Sequence, residues 1–166
     1  MSSRTRRRPK HTRVEAGLDY FYIQHLQTGL FLSEKDSNVT PTRQVLALPK
    51  LPPEQEGTQL WAFTGQGQIV NQYSGLVLEV PKAADGVRVV ENRSAGSDIQ
   101  RAGQRWRRSH SGRVESYLDR HFVLGLSSPV SAAFVVLKPR TTLDSDPSQQ
   151  WRLIKSVSPF SVAAQE

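Results

Sequence analysis

The sequence predicts an all-β protein of twelve short strands arranged in three like units. Trp61, Trp106 and Trp151 are the three tryptophans of the 166-residue chain, and they lie 45 residues apart. Each ends the same kind of tripeptide: Gln59-Leu60-Trp61, Gln104-Arg105-Trp106 and Gln149-Gln150-Trp151. A second landmark keeps step at intervals of 46: Gly29-Leu30-Phe31-Leu32, Gly75-Leu76-Val77-Leu78 and His121-Phe122-Val123-Leu124. Features that recur in one order at a fixed interval of this size mark a repeat architecture. The units run from about 20 to 64, 65 to 109 and 110 to 155.

Each unit offers four strand signals. The first reads Phe21–Gln24, Leu30–Leu32, Val45–Leu48 and Leu60–Phe63. The second reads Gln68–Asn71, Leu76–Val80, Val87–Val90 and Arg105–Arg107. The third reads Arg113–Ser116, Phe122–Leu126, Phe134–Leu137 and Trp151–Ile154. These runs are short and rich in β-branched and aromatic residues. Ser74-Gly75, Asp85-Gly86 and Ser111-Gly112 supply turn chemistry between runs. No stretch shows the sustained apolar stripe of an amphipathic helix.

One unit has too little apolar surface to bury itself, so three share a core. Closing the sheet into a barrel removes the exposed edges an open sheet must protect. The three tryptophans each bring a large apolar area inward. Three Gln-x-Trp motifs on a threefold strand repeat resemble the ricin B-type β-trefoil family over about residues 20 to 155. The resemblance implies a β-trefoil over 17–156, with Gln59, Trp61, Gln104, Trp106, Gln149 and Trp151 as its structural core motif. It leaves residues 1–16 as a basic arm and 157–166 as a tail.

The family resemblance also implies a shallow glycan pocket in each unit. It would be built from an aspartate ending the second strand, a stacking aromatic and an asparagine just before Gln-x-Trp. A carboxylate there accepts bonds from vicinal hydroxyls, while an aromatic ring covers the apolar side of the sugar. The aspartate position holds Ser33, Glu79 and Gly125, and the asparagine position holds Thr58, Gly103 and Ser148. No aromatic follows the third strands. The scaffold motif is therefore intact three times and the sugar motif nowhere complete. The second unit keeps most, with Glu79, Asn92 and Arg93 as candidate ligand-binding residues. The competing reading pairs Glu79 with Arg88 across the hairpin. Tyr22, Tyr73, Tyr117 and His121 are further candidates for a stacking surface, or else packing and turn residues.

Charge is uneven. The net charge is +7, and Arg4, Arg6, Arg7, Arg8, Lys10 and Arg13 account for all but one of it before the first acid appears. Such an arm reads as a localisation segment, as a contact for nucleic acid or another anionic surface, or as a plain solvated tail. A second cluster comprises Arg101, Arg105, Arg107, Arg108 and Arg113, with His110 among them. Arg105 and Arg107 flank Trp106, so they are expected on the opposite face, outside the barrel. Arg105, Arg107 and Arg108 are the candidate anion-binding residues, since the guanidinium fork suits phosphate, sulfate or carboxylate.

Enzyme signatures are missing. The four histidines lack zinc-ligand spacing, and there is no nucleophile elbow or phosphate loop. Asp144-Ser145-Asp146-Pro147 has an acid pair, but its composition is that of a tight turn. No cofactor and no metal is implied. The absence of cysteine and of an N-terminal apolar stretch leads us to expect an intracellular protein, cytoplasmic or nuclear. No apolar run reaches membrane-spanning length, so no membrane insertion is expected. The expected function is a non-catalytic lectin-like module with degenerate sugar pockets, its partner a glycan. The alternative is an intracellular trefoil that binds protein, an anion or nucleic acid and has lost the sugar site. In that case the three loops before Gln-x-Trp would carry recognition.

Overall fold

A computed structural model of the chain describes residues 17–35 and 42–156. The basic arm, and Val157 and Phe160 of the tail, lie outside the described residues.

Twelve strands follow one another. They are β1 (Phe21–His25), β2 (Phe31–Glu34), β3 (Arg43–Leu48), β4 (Trp61–Phe63), β5 (Ile69–Asn71) and β6 (Val77–Glu79), then β7 (Val90–Asn92), β8 (Trp106–Arg108), β9 (Val114–Ser116), β10 (Phe122–Leu126), β11 (Ala133–Pro139) and β12 (Trp151–Lys155). The first and fourth strands of each unit form a ring. β12 pairs β1, β1 pairs β4 at Phe21 and Trp61, β4 pairs β5, and β8 pairs β9. The two remaining junctions are single backbone bonds, Trp106 N–H to Gly67 O at 2.8 Å and Trp151 N–H to Gly112 O at 2.9 Å. Gly67 and Gly112 hold φ of 82° and 91° at these crossings, which glycine adopts without strain.

The hairpins β2–β3, β6–β7 and β10–β11 close one end of the ring. Their inner strands meet as a triangle. β3 pairs β7 and also β11, while Val89 N–H reaches Val135 O and Leu137 N–H reaches Val87 O. This corrects one strand expected from sequence. The run Val87–Val90 splits: its first three residues bond β11, and the ladder with β6 begins at Val90. The fold is thus the all-β trefoil expected, with three pseudo-equivalent units.

Short helical turns are the other difference. Each Gln-x-Trp is preceded by a 3₁₀ turn: Pro53–Gln59, Ala102–Gln104 and Pro147–Gln149, the second preceded by the one-turn helix α1 (Asp98–Arg101). Pieces this short show no periodicity in sequence. Proline at the first turn of two of them favours the helical start. In the third, Asp146 accepts a capping bond from Ser148 N–H. The acid pair singled out in the sequence is thereby structural. Asp146 caps, its carboxyl held below the usual range by the Ser148 and Thr141 hydroxyls, and Asp144 pairs with Arg113 at 3.5 Å.

The core is one cluster spanning all units. Trp61, Trp106 and Trp151 are 0, 5 and 1% exposed, surrounded by Ile23, Leu32, Val45, Ile69, Leu78, Val114, Leu124 and Leu137.

Candidate functional site: clefts in front of the glutamine clamps

The Gln-x-Trp motif works as a clamp, and the structure repeats it three times. Each indole N–H donates to the second strand of its own unit: Trp61 to Leu32 O at 2.9 Å, Trp106 to Leu78 O at 3.1 Å, Trp151 to Leu124 O at 3.1 Å. Each glutamine amide ties down the chain leaving the third strand. Gln59 donates to Pro49 O and accepts from Leu51 N–H; Gln104 does so with Arg93 O and Ala95 N–H; Gln149 with Pro139 O and Thr141 N–H. All three glutamines are buried. A buried amide needs both its donor and its acceptor satisfied, and this geometry does so.

In the second and third units the clamp backs a surface cleft that carries the unit's variable residues. In the second unit the cleft is about 440 Å³. Its floor is the Glu79 carboxylate, which accepts from Gln104 Nε2 at 2.7 Å through Oε1 and from Asn92 Nδ2 at a long 3.4 Å through Oε2. Asn92 Oδ1 in turn accepts from Arg93 N–H. β6–β7 register sets Val77 opposite Asn92 and Glu79 opposite Val90, so Glu79 and Asn92 are diagonal neighbours on one face. A carboxylate has about four acceptor directions, so Glu79 keeps capacity for a ligand's hydroxyls. Arg88 is not its partner. That guanidinium lies 3.8 Å over the Phe134 ring instead.

Three cleft residues escaped sequence reasoning. A Cβ on Gly103 would stand 2.4 Å from Val80 O, so only glycine lets the turn press onto β6 and form this floor. From sequence alone, Gly103 reads only as a missing asparagine. Ile99 on α1 is 89% exposed, and Leu118, from the turn between β9 and β10 of the third unit, is 39% exposed; both line the rim. Ile99 was visible as a lone large apolar residue in a polar loop. Leu118 had no local signal.

The arginine cluster divides. Arg113 is 2% exposed and is a loop clamp: its Nη2 donates to Thr141 O and Leu143 O. It therefore leaves the surface set, because its repeat position, like that of Gln68, faces inward. Arg105 is engaged on two sides, by Asp98 at 3.7 Å and by the Tyr117 ring at 5.4 Å. Arg107 is exposed and sits opposite Glu115 in the β8–β9 ladder. Arg108 reaches Trp151 O with Nη2 at 3.4 Å. The guanidinium groups of Arg105, Arg107 and Arg108 thus have different neighbours.

Of the aromatic candidates, Tyr22 is buried and packs edge-on against Phe31, with its hydroxyl pushed up to about 12 by burial and by Glu56. Tyr73 and Tyr117 are exposed. His121 is exposed, and Asp119 lies 3.0 Å from its Nδ1; the His121 backbone N–H holds the Asp119 carboxyl below its usual range. His25, by contrast, is buried against Trp151, with Nε2 at Ser148 O and Nδ1 at Thr28 Oγ1. Burial lowers its pKa and favours the neutral ring.

Among the described residues no His, Asp or Glu group has the arrangement of a metal centre, and no helix is long and apolar enough to cross a membrane. No protein-family model matches the chain, and no curated protein matches it by sequence. Solved structures do. The C-half of an earthworm R-type lectin, in complex with GalNAc, superposes with a TM-score of 0.69 at 16% identity, over 83% of this chain and 99% of that one. The designed 3-fold symmetric protein ThreeFoil gives 0.68 at 22%, over 81% and 97%. A Macrolepiota procera ricin B-like lectin, in complex with lactose, gives 0.64 at 17%, over 82% and 95%. The fold is ricin B-like.

Proposed function

We propose that the protein is a non-catalytic, lectin-like module whose second-unit cleft takes the hydroxyl face of a saccharide. The observation that carries this reading is the Glu79 carboxylate. It is braced by Gln104, faces Asn92 across the hairpin, and lies in an open cleft of about 440 Å³. A carboxylate fixed by a buried amide is preorganised to accept from vicinal hydroxyls, and preorganisation lowers the cost of binding. Asn92 and Arg93 offer donors at the same edge. Ile99 and Leu118 supply an apolar rim where a ring's C–H face can rest, in place of the aromatic that the sequence lacks. The lectin neighbours bound to GalNAc and lactose support a saccharide as the ligand class.

A second reading has its own observation. Ile99, Tyr117 and Leu118 are all exposed beside this cleft, and exposed apolar groups together suit a protein partner. A glycan array probed with the wild type and with Glu79→Ala separates the two. Binding to a neutral glycan that falls about tenfold or more in Glu79→Ala supports the saccharide reading. No binding to any neutral glycan overturns it and leaves the protein-partner surface.

A further inference from the structure

The third unit has a cleft of its own, about 390 Å³, at the position equivalent to the one built on Glu79. Its chemistry is reversed. β10–β11 register sets Val123 opposite Lys138 and Gly125 opposite Val136, so Gly125 stands where β6 has Glu79, and Lys138 where β7 has Asn92. A Cβ on Gly125 would lie 2.8 Å from Lys138 Cγ. The lysine stem thus occupies the ground that an acidic side chain at this position would need, and the repeat supplies no carboxylate here.

Lys138 is half-buried, yet among the described residues its ammonium has no hydrogen-bond or ion-pair partner. A partly desolvated cation without a counter-charge gains when an anion arrives. Two neutral donors with no partner line the same cleft, the Gln27 amide from the turn after β1 and the Ser128 hydroxyl. Asp85, exposed at the edge, is the one carboxylate lining it and is likewise unpaired. The floor is rigid, because His25 is pinned between Ser148 O and Thr28 Oγ1. The cleft therefore offers a cation, two neutral donors and a single peripheral acceptor. That set matches a ligand with one anionic group and several hydroxyls.

We propose that the third-unit cleft is a second binding site, specific for an acidic saccharide, with the anionic group on Lys138 and hydroxyls on Ser128, Gln27 and Asp85. This site is independent of Glu79, so the two proposals fail separately. The test is a ¹H–¹⁵N titration of the full chain with three probes: sodium glucuronate, methyl glucoside and sodium sulfate. Wild type, Glu79→Ala and Lys138→Met are compared. Methionine keeps an unbranched stem over Gly125, and Lys138→Gln serves as a second variant should it fail to fold. Glucuronate is expected to shift the amides of Ser127, Ser128 and Lys138. Its affinity should fall about tenfold in Lys138→Met, stay unchanged in Glu79→Ala, and exceed that of the glucoside about tenfold. Equal affinity for glucuronate and glucoside, an undiminished Lys138→Met, or shifts confined to the Arg107 face would overturn the site. Sulfate binding as tightly as glucuronate would overturn its assignment to a saccharide.

Discussion

At each clamp, an indole N–H meets a second-strand carbonyl and a buried glutamine ties down the chain after the third strand, in the same way in every unit. In front of those clamps, one pair of positions is filled by Ser33 and Leu48, by Glu79 and Asn92, and by Gly125 and Lys138. The rear layer is constrained three times over, since each clamp must satisfy buried donors and acceptors. In the front layer Leu48, Glu79, Asn92 and Lys138 are partly exposed, and residue identity there costs less in folding. Scaffold and recognition are therefore separable here to the width of one side chain. Gln104 marks the boundary: its amide clamps Arg93 O and also braces Glu79.

The largest effect is expected in the rear layer. Trp61→Ala, Trp106→Ala and Trp151→Ala should each lose about 3–5 kcal/mol in urea denaturation, from lost burial and an unfilled cavity. Against a total of about 5–15 kcal/mol, such variants are marginal or unfolded. Glu79→Ala should change stability by no more than about 0.5 kcal/mol. A tryptophan variant of wild-type stability would show that the clamps are not equivalent and would break the comparison.

The interior departs from threefold agreement in one place. Glu91 on β7 stands where β3 has Ala47 and β11 has Leu137, and it is 0% exposed. Glu34 and Arg43 are buried beside it, with Arg43 Nη1 at 3.8 Å from Glu34 Oε1. Burial first, then the hydrogen bond and charge of Glu34, push the Glu91 carboxyl from 4.5 up to about 10, while Arg43 and Ser74 pull it down. The folded state therefore holds a proton that the unfolded chain releases above about pH 4. That stabilisation is complete below the unfolded pKa and is lost as pH rises toward 10. Between pH 5 and 8 the wild type should lose up to about 1.4 kcal/mol per pH unit relative to Glu91→Gln, measured by urea denaturation across the range. Parallel stability curves for the two proteins would show that Glu91 is ionised in the fold.

What could be read from sequence follows the same division. The strands and clamps were legible because tryptophan, glutamine and β-branched runs recur at fixed spacing. Arg113 was misplaced because a guanidinium in a basic run looks solvated. Its alignment with Gln68, 5% exposed and also clamping a loop, carried the missing signal. Glu91 was hidden because the sequence reading ends the strand at Val90, whereas the ladder with β6 begins there. Glu79, Asn92 and Arg93, which line the second-unit cleft, were singled out from their place in the repeat. The apolar rim was not, since Leu118 belongs to the next unit and reaches the cleft only through the closure of the barrel.

The smallest effect on stability, and the sharpest on binding, should come from exchanging front layers. Gly125→Glu alone is expected to strain β10–β11, because the new Cβ would meet the Lys138 stem at 2.8 Å. Changing both positions, Gly125→Glu with Lys138→Asn, copies the Glu79–Asn92 pair into the third unit, where the shorter asparagine can turn toward the glutamate as Asn92 does toward Glu79. Gln149 holds the place of Gln104 and is 4% exposed. Its Nε2 already donates to Pro139 O, as Gln104 Nε2 does to Arg93 O, and that amide is free to brace a glutamate as well. The double variant should stay within about 0.5 kcal/mol of the wild type, lose the glucuronate binding proposed for this cleft and gain the neutral-glycan preference proposed for the second unit. Calorimetric titration with both ligand types reads the exchange directly. If the double variant folds but acquires no new preference, recognition depends on the rim from neighbouring units, Leu118 in one cleft and Gln27 in the other, more than on the pair the clamp presents.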